Sequence, residues 1–168
     1  EAVQTGLLAN GELGPGKIML EVLDRVNTTR EELRYLSAYR VGRILEVAKG
    51  ERSLGLKPGK YRIHAVDHAK SRVEVEGRDA RRYRFDPSRI RANRDDDRLT
   101  LSEPRNLEIH EGDRIRWTRN DHKRGLFNAD RARVVAIENG RVSVETAKGD
   151  RLELRPGDPM LKRIDLAY

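Results

Sequence analysis

The chain has no cysteine among its 168 residues. That excludes a disulfide framework and any thiolate metal site, and it fits a reducing compartment. Hydrophobic residues are also scarce, at 36% against 38% charged. Such a composition describes a lean core under a charged surface. Two small β modules with shallow cores fit it better than one large globule, because small domains bury a smaller fraction of their surface. No apolar run approaches the roughly 20 residues of a membrane-spanning helix, so no membrane insertion is expected. No signal-peptide pattern opens the chain. It begins at Glu1, inside what reads as a helix, and the expectation is a piece of something longer.

The usual carriers of catalysis are absent as well. There is no Gly-rich phosphate loop with a Lys-Ser/Thr end. Ser53, Ser71, Ser88, Ser102 and Ser143 lack the surroundings of a nucleophile elbow. His64 and His68 are four residues apart, but on an expected strand and turn, not on one face of a helix. Asp95-Asp96-Asp97 lacks the Gly-containing spacing of a calcium loop and reads as a solvated connector. No acid–base pair or triad stands out. The expectation is therefore no catalytic residue, no metal, no cofactor and no small-molecule substrate.

What the chain does have is positive charge, unevenly placed. The formal net charge is +7. Residues 1–40 carry five basic and six acidic side chains, residues 41–92 fourteen and seven, and residues 93–168 sixteen and fifteen. The excess thus sits in the middle third. A field concentrated on one module attracts a polyanion better than the same charge spread evenly.

Local patterns predict a mostly β, α+β chain. Residues 1–10 read as a helix end and 17–24 as a buried strand. Asn27-Thr28-Thr29 offer helix caps, with Glu31 and Glu32 in a first turn that favours negative charge, for a helix reaching about Ala38. Period-two alternation then predicts strands over 41–48, 60–67, 72–76 and 81–85. A second set follows at 100–101, 107–109, 113–119, 131–138, 141–146, 151–154 and 164–168, with Asn139-Gly140 as a hairpin signal. Short strands at this spacing argue for small barrels. The two sets have similar layouts, as a distant internal duplication would, although no sequence identity establishes one.

Alternation also sorts the aromatics. In Arg82-Tyr83-Arg84-Phe85 the arginines share one face and the aromatics the other. Arg114, Arg116 and Thr118 likewise oppose Ile115 and Trp117. Tyr83, Phe85 and Trp117 are expected in the core, leaving the arginines free to contact phosphates whether or not an aromatic stacks on a base.

One stretch is more specific. Gly112-Asp113, Asn120, Gly125, Phe127-Asn128 and Asp130 follow the spacing of a segment in RecD-type superfamily 1 helicases. Ala129 stands where that pattern has Gly, and Ala132 where a second Gly is common. If the turn needs a positive φ at 129, alanine is strained there. Leu161–Tyr168 resembles the strand that precedes a helicase motif, and Glu1–Gly14 a helix and loop of a RecA-like lobe. The insert between them has Tyr39-Arg40-Val41-Gly42, Gly59-Lys60-Tyr61-Arg62 and Arg84-Phe85-Asp86-Pro87. It resembles conjugative relaxase-helicases of the TraI/TrwC (MobF) type.

The resemblance implies a layout. Residues 1–40 would be a remnant of a RecA-like lobe, 41–92 a basic 2B-like module, 93–163 an SH3-like 2B module, and 164–168 a return strand. It also implies a noncatalytic role within a DNA relaxase and ATP-dependent helicase of the bacterial cytoplasm. The insert would clamp single-stranded DNA and carry a translocation signal for a type IV secretion system, through which the protein could reach a recipient cell. Expected partners are single-stranded DNA, the secretion coupling protein and the parent's RecA-like lobes. Together with the localized charge, it makes Arg62, Arg82, Arg84 and Arg89 candidate DNA contacts in the basic module. In the second module the candidates are Arg119, Asn120, Lys123, Arg124 and Asn128. Two rivals are a protein-docking module without DNA binding and a tandem-barrel RNA-binding protein.

Overall fold

The computed structural model describes residues 2–4, 14, 16–91 and 98–168. The expected acidic connector at 95–97 lies outside the described residues, as does most of the expected helix over 1–10. Of that helix, Ala2–Gln4 are described and are helical. The chain is mostly β. Its strands are β1 (Lys17–Arg25), β2 (Ile44–Val47), β3 (Gly59–Asp67), β4 (Arg72–Glu76), β5 (Arg82–Phe85), β6 (Leu99–His110), β7 (Arg114–Trp117), β8 (Arg131–Glu138), β9 (Arg141–Thr146), β10 (Arg151–Leu154) and β11 (Ile164–Leu166). They form two antiparallel sheets, ordered β1-β6-β2-β3-β4-β5 and β10-β9-β8-β7-β11.

The chain divides into two compact units. One holds Glu1–Val22 with Arg105–Tyr168, and the other holds Leu23–Pro104. The expected boundaries lie at 40, 92 and 163; the first unit is discontinuous, and both crossings fall inside strands, β1 and β6. The expected strands at 100–101 and 107–109 are one strand, β6, running through Pro104. The ladder between β2 and β6 ends at Ser102, so the missing proline N–H removes no bond from that ladder.

Two other expectations need correction. The helix expected up to Ala38 is two separate 3-10 turns, Glu32–Arg34 and Leu36–Ala38. Of the expected caps Thr29 acts as one: its Oγ1 accepts from Glu32 N at 3.1 Å, and its N donates to Glu32 Oε2 at 2.9 Å. Tyr35 then turns extended (φ −109°, ψ 142°), and Leu33, Ala38 and Tyr39 are buried in its unit's core. The expected barrels do not close. β5 and β10 each end their sheet with a single neighbour. Each is followed by a 3-10 turn with proline in its first helical positions, Pro87 and Pro159. The fixed proline φ sets the turn and carries the chain off the edge.

The duplication hinted at by the strand layout is visible in the backbone. In each unit a glycine with positive φ (Gly42 at 92°, Gly112 at 94°) stands two residues before a short strand. That strand, β2 or β7, leads to a loop closed by an isolated bridge, Glu51↔Leu56 or Asp121↔Leu126. A three-stranded meander follows, β3-β4-β5 or β8-β9-β10. It carries a register shift at the same place, between Ile63 and Ala65 or between Val134 and Ala136. An Asp-Pro 3-10 turn then returns the chain to pair beside the first strand, as β6 or β11. Each repeat has its own core, centred on Leu45, Ile63, Val73 and Val75 in one and on Ile115, Trp117, Val134 and Val144 in the other.

The residue after each positive-φ glycine fastens the ends of its repeat. Arg43 donates from Nε to Glu103 Oε2 at 2.7 Å and from Nη1 to the Ala38 carbonyl at 2.8 Å. Its counterpart Asp113 is fully buried. The Asp113 carboxyl accepts from Gln4 Nε2 at 2.6 Å, from the His110 backbone N at 2.8 Å, and from the Tyr168 hydroxyl. The strand registers make Glu103 and Tyr168 equivalent positions.

Burial and the bond to Asp113 raise the Tyr168 pKa from 10.0 to about 12. A raised tyrosine pKa stabilises the fold fully below the unfolded value and loses that contribution as pH climbs through the folded value. Stability is therefore expected to fall between about pH 10 and pH 12 through this residue. Thermal unfolding across that range checks it: Tyr168→Phe should be less stable than the wild type at pH 8 and lose less on going alkaline. Parallel pH curves for the two proteins would count against the assignment.

Candidate nucleic-acid interface

In the Leu23–Pro104 unit, alternation along β3, β4 and β5 buries Tyr61, Ile63, Val73, Val75 and Phe85 and turns Arg62, Arg82 and Arg84 outward. Register puts these arginines in rows. Arg62 faces Glu76, which faces Arg82. Glu74 lies between Ala65 and Arg84 in the next row. Three of the expected contacts thus share one outer face.

That face is not purely cationic. Glu74 pairs with Arg84 at 2.8 Å and with Arg82 at 3.5 Å, and Glu76 lies 3.9 Å from Arg82. The Arg84 hydrogen bond holds the Glu74 carboxyl below its ordinary range. Arg89, the fourth expected contact, belongs to the Asp-Pro turn that follows β5. It forms no ion pair among the described residues, and its charge helps keep the Asp86 carboxyl low, behind the larger effect of the Ser88 hydrogen bond.

Alternation turns the aromatics inward, although Tyr83, expected in the core, is only half-buried against it. Phe85 is buried and meets Tyr39 edge-on at 5.7 Å, and Tyr83 meets Tyr61 at the same distance. Trp117 is buried in the other unit.

In that other unit the expected contacts gather on the loop from β7 to β8. Arg119, Asn120, Lys123 and Asn128 are exposed. Asn120 Oδ1 accepts from Asn128 N at 2.7 Å and so braces the turn. Ala129 has φ +72°, the left-handed conformation that costs a non-glycine residue about 1–2 kcal/mol. The strain anticipated at this position is present. Its amide donates to the Trp117 carbonyl at 2.8 Å.

Arg124 stands apart from its neighbours. It donates from Nη1 and Nη2 to the two Asp158 oxygens at 2.7 and 2.9 Å, and from Nε to Asp121 at 2.7 Å. Both carboxyls are held below the ordinary range, with the Arg124 hydrogen bond as the largest cause. This guanidinium latches the loop to the Asp-Pro turn.

Two features escaped the sequence reading. Phe127 is 43% exposed and meets His122 edge-on at 5.8 Å. An apolar ring inside a polar turn was the available signal. Arg52 and Arg72 line a depression with Arg84 and Arg89. The repetition of Gly55-Leu56 as Gly125-Leu126 would have marked the first of these loops.

Fold and surface together define a duplicated antiparallel β domain, rich in arginine on one sheet face and on its loops. Residues 22–109 match the family described as the DNA relaxase TraI 2B/2B-like domain, and the chain belongs to that family. Over 160 residues, 94% of its length, it is 28% identical to the multifunctional conjugation protein TraI of Escherichia coli (strain K12). It matches a second Escherichia coli protein of that description at the same 28% identity. The chain spans 8% of the length of these relatives.

Arg124 is expected to matter first to the fold. Arg124→Ala should cost about 1–2 kcal/mol, the size of a partly exposed charge-assisted bidentate pair. Lysine should not restore it, because an ammonium cannot hold both Asp158 oxygens in a planar fork. Urea unfolding of the three proteins measures this, and equal midpoints would show that the latch contributes nothing.

Proposed function

We propose that the chain is a noncatalytic segment of a bacterial conjugative relaxase-helicase. It binds single-stranded DNA against its arginine-bearing surfaces and carries a translocation signal read by a type IV secretion system during conjugative transfer. Family membership supports the conjugative setting. The observation that carries the DNA reading is the shared outer face of Arg62, Arg82 and Arg84 on β3 and β5, in the module with the excess charge. The loop bearing Arg119, Asn120, Lys123 and Asn128 adds exposed donors, and Phe127 adds a ring on which a base could stack.

In this reading the parent protein supplies the relaxase and the ATP-driven helicase. Its RecA-like lobes flank the insert, of which residues 93–163 form the SH3-like part. The parent works in the bacterial cytoplasm and passes to the recipient cell. The coupling protein of the secretion system is the protein partner.

Anisotropy of labelled single-stranded DNA across a salt series tests the DNA reading. Each neutralised phosphate contributes a slope of roughly −0.7 in log affinity against log salt. Arg62→Glu with Arg82→Glu should weaken binding and flatten that slope. An unchanged affinity would remove this face, and preference for structured RNA would favour the RNA-binding rival.

A second reading, docking of a protein alone, draws on Glu74 and Glu76 interleaved among the arginines. Alternating signs suit a protein surface better than a polyanion. A fusion carrying residues 40–163 should be exported to recipient cells if the signal is sufficient. Absence of export would count against it.

A further inference from the structure

The two repeats differ at one corner, and the difference opens a site. Counting back from the matched glycines Gly55 and Gly125, the loop residue equivalent to Arg124 is Leu54. The turn residue equivalent to Asp158 is Asp86, since each opens the Asp-Pro turn and accepts a backbone N–H two residues on, from Met160 or Ser88. In the Glu1–Val22/Arg105–Tyr168 unit the Arg124–Asp158 fork closes the gap between loop and turn.

In the Leu23–Pro104 unit no such fork can form. Leu54 is 7% exposed and packs into the core. Asp86 is occupied by Ser88 and, at 3.2 Å, by Arg72. The gap is left as a cleft lined by Arg52, Ser53, Arg72, Arg84, Asp86 and Arg89. Four arginines and one acidic residue thus line the cleft. Arg72 and Arg84 have acidic partners in Asp86 and Glu74, whereas Arg52 and Arg89 form no ion pair among the described residues. Both are exposed, so both forks are free to turn onto an incoming anion.

We infer that this cleft is a phosphate-binding site, taking one or two phosphodiester groups of a single-stranded nucleic acid between Arg52 and Arg89. Planar guanidinium forks match phosphate oxygens bidentately, and Arg72 and Arg84 supply further positive charge from the strands. The twin repeat shows what the corner does when closed: the loop guanidinium is spent on the turn carboxylate. With a buried leucine in place of that arginine the corner stays open, and Arg52 and Arg89 form no ion pair among the described residues. The inference rests on the DNA-binding reading and deepens it. It adds to the sheet face, where Glu74 and Glu76 offset the arginines, a corner of the same module where cations are in excess.

The test is anisotropy of a labelled oligothymidylate with the full 168-residue chain across a salt series. Arg52→Glu with Arg89→Glu should lower affinity at least roughly tenfold and flatten the salt slope by about 1.4, the equivalent of two phosphate contacts. A control pair, Arg40→Glu with Arg78→Glu, makes the same change in net charge away from the cleft and should leave most of the slope intact. Both pairs replace exposed side chains, and thermal unfolding verifies that each protein is folded. Equal losses in the two pairs would overturn the cleft in favour of a general field while leaving the DNA reading standing. An unchanged slope in the cleft pair would do the same. Failure of the wild type to bind even at low salt would overturn both.

Discussion

Each repeat of this domain depends on one polar clasp. A left-handed glycine aims the next residue, Arg43 or Asp113, at the segments that enter and leave the repeat. Arg43 ties the Ala38 carbonyl to Glu103 in β6; Asp113 ties Gln4 to Tyr168 beyond β11. The chemistry is inverted, a cation in one repeat and a carboxyl in the other, while the position is kept. A meander of short strands has little hydrophobic area with which to hold its own ends. A hydrogen-bonded side chain at the point where both ends pass serves that purpose, and burial of the Asp113 carboxyl is affordable because three donors satisfy it.

The same logic governs the loop after the first strand. One copy secures it with an ion-pair fork, the other by burying Leu54. Both close a short bridge around a left-handed glycine, and the strands beyond keep the same register shift. What changes is the surface. Where an arginine holds the loop, the neighbouring acid is neutralised and the corner is sealed. Where a leucine does, the corner keeps a cleft lined by arginines, of which Arg72 and Arg84 are paired with acids. A duplicated fold can thus keep its architecture while its two copies diverge in electrostatics, because an ion-pair fork and a buried leucine occupy the same loop position and leave different charge beside it.

Much of the fold was legible in the residues. Strands β4, β8, β9 and β10 fall where alternation and turn signals put them, since a half-buried strand must alternate and a hairpin must turn on Asn-Gly or its like. The inward aromatics, the outward arginines and the strained Ala129 were legible for the same local reason. The helix expected before Ala38 was not. Its caps are real, but the burial of Leu33, Ala38 and Tyr39 is a long-range demand that the caps do not report. Residues 100–101 and 107–109 read as separate strands; that one strand runs through Pro104, where the ladder to β2 has already ended at Ser102, is a tertiary fact.

The candidate site divides along the same line. The sequence by itself determined which side chains carry charge, which face of each strand they occupy, and that the positive excess sits in the middle of the chain. Those properties follow from composition and a period of two. Only the tertiary structure decided which charges are spent. Arg82 and Arg84 meet Glu74, a pairing set by β4–β5 register; Arg124 meets Asp158, thirty-four residues away; Arg52 and Arg89 line one cleft beside the buried Leu54. Electrostatic pairing depends on distances of a few ångströms between segments remote in sequence, and chain folding alone sets those distances.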